Sequence, residues 1–279
     1  MKIVKPIFSL LRTFFIAILL TVITQVGGVI YLALKPVNYF LTRHLQGKKK
    51  YLVKAFLYFG VYLIISLTIV PKLALKYNRV PLPRISGTYK NIKPARNFYW
   101  IANRNYVRKE LFNAFTEIAN NTSTSRPGTV IYYLDANFPL FDYFPLLPHK
   151  SHNDGRRLDI SFLYTKGKEP INAAPGVLGY GHSEVPQKEE VDYPKRCAEK
   201  GNKIYSALYQ ISRIFRKDKY QFDEKANREL LRTITSQKKV RKVFIEPHLK
   251  SRLKLSNETK IRFHGCGAVR HDDHIHLEI

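Results

Sequence analysis

The chain of 279 residues carries 47 Lys and Arg against 21 Asp and Glu, a formal charge of +26, with 45% hydrophobic and 13% aromatic residues. That composition excludes a disordered or fibrous chain, and the length allows one or two domains. Two cysteines, Cys197 and Cys266, exclude a disulfide scaffold and a four-cysteine zinc site, and leave open one bridge or two reduced thiols.

The charge is unevenly spread. Glu110 is the first acidic residue, so residues 1–109 hold 19 basic groups and no carboxylate, whereas the remainder is basic by an excess of only 7. Within the basic part, Thr13 to Leu34 is an uncharged run long enough to cross a bilayer core of about 30 Å as a helix. A second run, Ala55 to Val70, lengthens to Tyr51 if Lys54 snorkels to the interface. The sequence predicts two transmembrane helices over about 13–34 and 51–70, within an anchor of residues 1–79. A cleaved signal has a shorter apolar region ending in small residues, whereas the first run ends in Tyr31, Leu32 and Leu34. Lys35, Arg43, Lys48, Lys49, Lys50 and Lys54 between the spans predict a cytoplasmic connection, with both termini outward. The expected location is the cytoplasmic (inner) membrane, with the remaining domain facing the periplasm or exterior. Because the basic groups flank apolar spans, the partner they imply is the lipid bilayer rather than nucleic acid.

Pro81, Pro83 and Gly87 punctuate an expected linker over 80–96, followed by a domain over 97–279. Lys109 to Ala119, Ile204 to Phe215 and Lys225 to Ile234 have helical spacing, while Thr129 to Leu134, Lys242 to Ile245 and Ile275 to Ile279 have strand character. Helices and strands do not alternate regularly, which favours α+β. The polar interval from Thr165 to Lys200 is rich in Gly and Pro and is a candidate rim of a substrate groove.

Nine histidines are present. His152 lies seven residues before Asp159 in SHNDGRRLDI, with Gly155 allowing a tight turn between them. The chain ends in HDDHIHLEI, where His274 and His276 share one face of a strand and His271 lies nearby. Imidazole and carboxylate suit Zn²⁺, and three protein ligands leave a fourth position for water. His44, His149, His182 and His248 read as packed or surface residues, and His264 with Cys266 in RFHGCG as a tight loop.

The two motifs resemble those of the zinc peptidases that group lysostaphin, D-Ala-D-Ala metallopeptidases and hedgehog. With Val243 to Pro247 shortly before the closing motif, the pattern is most similar to the penicillin-insensitive murein endopeptidases. The resemblance implies a small antiparallel sheet carrying a zinc site with flanking helices. It makes His152, Asp159 and His276 the Zn²⁺ ligands, and His274 and His271 the catalytic imidazoles. The implied substrate is the stem peptides of peptidoglycan. Ser151 and Asp272 or Asp273 are candidates to orient ligands, and Arg156, Arg157 and Arg270 to bind substrate carboxylates. A D,D-carboxypeptidase and a non-catalytic zinc module that binds cell wall or a partner are the competing expectations. The family's carboxypeptidases usually place Glu three residues before the last ligand histidine, where this chain has Asp273.

Overall fold

The computed structural model describes residues 4–84, 87, 89–202 and 219–279. The helix expected over Ile204 to Phe215 lies outside the described residues.

Three helices open the chain: α1 (Val4–Thr24), α2 (Gly27–Thr42) and α3 (Gly47–Leu75). The run expected to be one helix from Thr13 to Leu34 is broken at Gln25, whose φ is +66°, and α2 folds back along α1. Lys35 Nζ consequently donates to Thr13 Oγ1 at 2.6 Å across the hairpin. A Cβ on Gly28 would lie 2.1 Å from the Ala17 carbonyl oxygen, so the arms approach too closely there for any side chain. Hydropathy does not register this reversal because both arms are apolar. Two helices, Ile7–Thr24 and Gly47–Leu75, are long and apolar enough to cross a membrane. The reversal also changes the expected layout: the start of α1 and the α2–α3 connection share one end of the bundle, and the rest of the chain lies at the other.

After the helices come β1 (Arg79–Pro81), β2 (Ile92–Pro94), α4 (Phe98–Ile101), β3 (Tyr106–Arg108), α5 (Lys109–Ser125) and β4 (Ile131–Tyr133). Next are β5 (Arg157–Ser161), β6 (Tyr164–Lys166), β7 (Glu169–Ile171), α6 (Tyr193–Glu199) and β8 (Gln221–Phe222). The chain closes with α7 (Glu224–Ser236), β9 (Lys242–Phe244), α8 (Pro247–Arg252), β10 (Ile261–Arg262) and β11 (His274–Glu278). The expected linker over 80–96 is therefore structured in part. β1 pairs with β3, and β2 forms an edge of the main sheet.

The fold is mixed α+β. The main sheet has the order β10-β9-β11-β5-β4-β2. Its centre is antiparallel, as expected, but both outer pairs, β2 with β4 and β9 with β10, are parallel. β7-β6-β8 form a second, three-stranded sheet.

Alternation along the central strands gives the main sheet two different faces. Leu158 and Ile160 of β5, Ile275 and Leu277 of β11 and Val243 of β9 join one buried apolar cluster. Helix α5 supplies Leu111, Phe115 and Ile118 to it at helical spacing, and α7 supplies Leu230, Leu231 and Ile234. Asp223 caps α7 by accepting from the Ala226 amide at 2.9 Å. Each fully buried aliphatic chain in this layer contributes about 1.5–3 kcal/mol. The intervening residues, Asp159, Ser161, His274 and His276, are left to the opposite face.

Candidate metal centre

Register brings the two histidine motifs together. β5 and β11 pair so that His276 stands opposite Asp159 and His274 opposite Ser161. The turn before β5 carries His152 to the same place. Gly155, at φ +81°, donates its amide to Asn137 Oδ1 at 3.0 Å and packs so tightly that a Cβ would meet Arg108 Cγ and Arg79 Nε at 3.1 Å. The glycine expected to make this turn is required there.

Three donor atoms form a compact triangle. His276 Nδ1 is 2.8 Å from Asp159 Oδ1, His152 Nε2 is 3.2 Å from the same oxygen, and the two nitrogens are 3.1 Å apart. A tetrahedral zinc with bonds near 2.0–2.1 Å separates its ligand atoms by about 3.3 Å. The ring of His152 is oriented by its other nitrogen, Nδ1, which lies 2.7 Å from the Ala136 carbonyl and donates to it, leaving Nε2 as the lone-pair atom. All three side chains are buried.

On the other side of Asp159, Oδ2 accepts from the Tyr180 hydroxyl at 2.7 Å and lies 3.0 Å from His149 Nδ1. His149, His152 and Asp159 each bring a ligand atom to within 4.8 Å of one another, a group that could hold a metal ion. The sequence reading placed His149 among packed histidines, and the structure brings it into the cluster. Its Nδ1 also faces Asp135 Oδ2 at 3.3 Å. Asp135 is in turn held by Arg104 through two bonds of 2.6 and 2.9 Å. His44 is exposed in the α2–α3 connection, while His182 and His248 are buried against the backbone carbonyls of Tyr220 and Glu184.

His274 is buried beside the triangle. Its Nδ1 is 2.6 Å from Asp273 Oδ1, and Asp273 Oδ2 accepts the Gly181 amide at 2.6 Å. His274 Nε2 is buried with no hydrogen-bond partner among the described residues and lies 3.7 Å from Asp159 Oδ2. The expected orienting role thus falls to Asp273. Asp272 instead pairs with Arg270, and Ser151 offers its backbone carbonyl to Arg157. The His271 ring centroid is 4.9 Å from that of His274 and 5.5 Å from that of His276. The VFIEP segment fixes its backbone: the His271 amide donates to Glu246 Oε1 and its carbonyl accepts from the Glu246 amide, at 3.1 and 3.0 Å. His264 packs against the His271 ring at 5.4 Å. Cys266 is bonded to Cys197 and is not a thiolate ligand.

The electrostatics follow from one carboxylate surrounded by imidazoles. Burial raises the Asp159 carboxyl, but the charges of His152, His274 and His149 outweigh it and hold it well below the usual range. Burial lowers His149, yet hydrogen bonds to Asp135 and Asp159 carry it up to about 10. For His276 burial prevails over Asp159 and pulls the ring down to about 3. Burial and the neighbouring His274 and His276 hold His271 well below its ordinary value. His274 is also lowered by burial, but Asp159 and Asp273 raise it overall.

A cavity of 530 Å³ opens beside His274. Its polar lining includes His149, Asp135, Tyr180 and Asp273, and its apolar lining Phe98, Leu147, Val177, Leu178 and Val269. The irregular part of the Thr165–Lys200 interval supplies Val177, Leu178, Tyr180, Gly181 and Ser183 to this lining. Of the three arginines expected to bind substrate carboxylates, Arg270 alone lines this cavity. Arg156 is exposed and Arg157 is paired with Asp154, both away from the cavity, while Arg104 and Arg270 line it already matched to Asp135 and Asp272.

Asp135 and Tyr180 carry no local sequence signal, since each reaches the site only through the fold, whereas Glu246 lies within the Val243–Pro247 segment. His149 does carry one: it stands three residues before His152. No protein-family model matches the chain, and no curated protein matches it significantly.

Proposed function

We propose that the protein is a membrane-anchored, zinc-dependent endopeptidase that cuts D-amino-acid cross-links of peptidoglycan outside the cytoplasmic membrane. The observation that carries this reading is the triangle of His152 Nε2, Asp159 Oδ1 and His276 Nδ1, flanked at the wall of a cavity by His274 Nε2, which has no hydrogen-bond partner among the described residues. Two imidazoles and a carboxylate at these spacings fit zinc, and the motif resemblance supplies the substrate class.

When bound, zinc lowers the pKa of water to about 7 and polarises a scissile carbonyl. The chain's own residues do the remaining work. Asp273 accepts the Nδ1 proton of His274, so in the neutral ring the lone pair sits on Nε2. His274 can then take a proton from the attacking water and return it to the leaving amine. His271, kept in place by Glu246 with its ring 4.9 Å from that of His274, stabilises the oxyanion. Tyr180 holds the second oxygen of Asp159, fixing the carboxylate's orientation.

The membrane placement has two supports. The hairpin puts Arg12, Arg43 and Lys48–Lys50 toward the end of the helices away from the domain, as the positive-inside rule favours for an external domain. The Cys197–Cys266 disulfide suits an oxidising compartment.

Elemental analysis of the purified chain is expected to find about one zinc per molecule. His152→Ala or His276→Ala should lose it, and His274→Ala should keep it while losing turnover of cross-linked muropeptides. A folded wild-type chain that binds no zinc would refute the proposal. The proximity of His149 supports a second ligand set, His149, His152 and Asp159. In that case His149→Ala rather than His276→Ala would lose the metal.

A further inference from the structure

Among the described residues, six large hydrophobic side chains outside the three opening helices are exposed: Phe141, Tyr143, Leu147, Val177, Leu178 and Val191. Five of the six sit on the two loops that wall the cavity. Such clustering on a soluble surface marks contact with an apolar phase or partner.

Both loops are tied to the opening helices. Gln25, at the hairpin tip, donates to the Leu140 carbonyl at 2.6 Å and accepts from its amide at 2.7 Å. Arg79, fully buried just after α3, donates to the Phe138 and Leu140 carbonyls, and the Tyr77 ring meets Phe141 at 5.3 Å. On the other wall, Tyr99 of α4 donates to the Leu178 carbonyl at 2.5 Å, and Tyr62 of α3 donates to the Ile101 carbonyl at the end of α4. The Leu178 backbone is therefore two hydrogen bonds and one short helix away from α3. Its loop is held in place by Arg96, which donates to the carbonyls of Ala174, Gly176 and Val177.

The depth of this contact matters. Tyr62 lies twelve residues beyond Lys50, about 18 Å along the helix, within a hydrocarbon thickness of about 30 Å. Helix α3 continues to expose Ile64, Leu67, Ile69 and Leu73 beyond that level. The rim is thus tied through α4 to a stretch of α3 whose apolar side chains are exposed.

Resting on the membrane anchor proposed above, we infer that the cavity mouth opens onto the outer leaflet and admits the hydrocarbon chain of a membrane-anchored amphiphilic substrate. The apolar walls, Phe98, Leu147, Val177 and Leu178, take the chain, and the polar end of the molecule reaches His274. A lipid-linked peptide is then the preferred form of the substrate, bound more tightly than the same peptide free in the aqueous phase.

The test uses the full chain in nanodiscs whose phosphatidylcholine and phosphatidylglycerol carry brominated acyl chains, which quench nearby tryptophan. Trp100, the sole tryptophan, is replaced by Phe, and single tryptophans are placed at Phe56, Val177, Phe98 and the exposed Lys238, which does not line the cavity. The expected result is quenching at Val177→Trp and Phe98→Trp to at least half the extent at Phe56→Trp, with none at Lys238→Trp. Quenching at Phe56 but not Val177 would overturn the membrane-facing mouth, and quenching at Val177 but not Phe98 would overturn occupation of the cavity. No quenching at Phe56 would remove the anchor and the inference with it. A second arm compares a cross-linked peptide with and without an acyl tail. The tailed form should have the lower KM, and equal KM values would overturn the substrate class. Turnover of neither, with Phe98→Trp quenched, would count against the peptidase chemistry alone.

Discussion

Asp273→Asn isolates the chemistry of His274 from metal binding. Asp273 touches none of the three donor atoms of the triangle, yet accepts from His274 Nδ1 and from the Gly181 amide, both at 2.6 Å. Asparagine keeps the size of the side chain. It can still accept the Gly181 proton through its carbonyl, but its amide then faces Nδ1 as a donor. The imidazole must respond by placing its proton on Nε2, which removes the lone pair from the side where water would be deprotonated. Loss of general-base catalysis costs about 10²–10⁴ in rate, and an Asp→Asn change under a catalytic imidazole reaches the upper end. The stability cost is about 1–3 kcal/mol, that of one mismatched buried hydrogen bond. The assay is steady-state hydrolysis of cross-linked muropeptides with zinc content measured on the same preparation. The expected result is full zinc occupancy, a kcat lowered at least 100-fold and a KM changed little. A variant retaining more than a tenth of wild-type kcat would refute the role of the Asp273–His274 pair, and so would loss of zinc as the cause of inactivity.

Three further outcomes follow from the geometry. Gly155→Ala should destabilise the chain by about 1–3 kcal/mol and weaken zinc affinity, because a left-handed residue separates His152 from Asp159 and its Cβ would press on Arg108. Thermal unfolding checks the first effect and competitive zinc titration the second. Replacing Cys197 and Cys266 together by Ser should cost about 4 kcal/mol by the loop-entropy estimate for a 69-residue separation, read as the shift in denaturant midpoint. In metal-free protein, His149 is raised from 6.5 to about 10, so its contribution to stability is complete below pH 6.5 and is lost as pH rises through 10. Urea midpoints in chelator should fall more steeply between pH 7 and 10.5 for wild type than for His149→Gln. Parallel curves would show that the His149 ion pair does not form.

The two motifs were legible because their spacing already encodes geometry. A period of two sends His274 and His276 to one face of β11, and antiparallel pairing with β5 sets Asp159 opposite His276. β-branched and aromatic composition made β4 readable as a strand, and β9 and β11 were readable as short strands. The parallel outer pairs were not readable, since pairing direction depends on how distant segments return to the sheet. The helical hairpin was hidden for a different reason. An apolar run that bends back on itself has the hydropathy of one that does not, and only the Gly27–Gly28 pair hints at the close approach. Arg79, the last residue of the expected anchor, proved to be a fully buried organiser of the Phe138–Asp142 loop. Its hydrogen-bonding carbonyls lie about 60 residues away in sequence. His149 was passed over because a lone histidine outside a motif is usually a packing residue, and its partners Asp135 and Tyr180 come from other segments.

The central claim is tested most directly by incubating the zinc-loaded full chain with cross-linked muropeptide dimers and weighing the products by mass spectrometry. The account predicts conversion of dimers to monomers, abolished by His274→Ala in protein that retains its zinc. Release of D-Ala with the dimers intact, or no product from either bond, would contradict it.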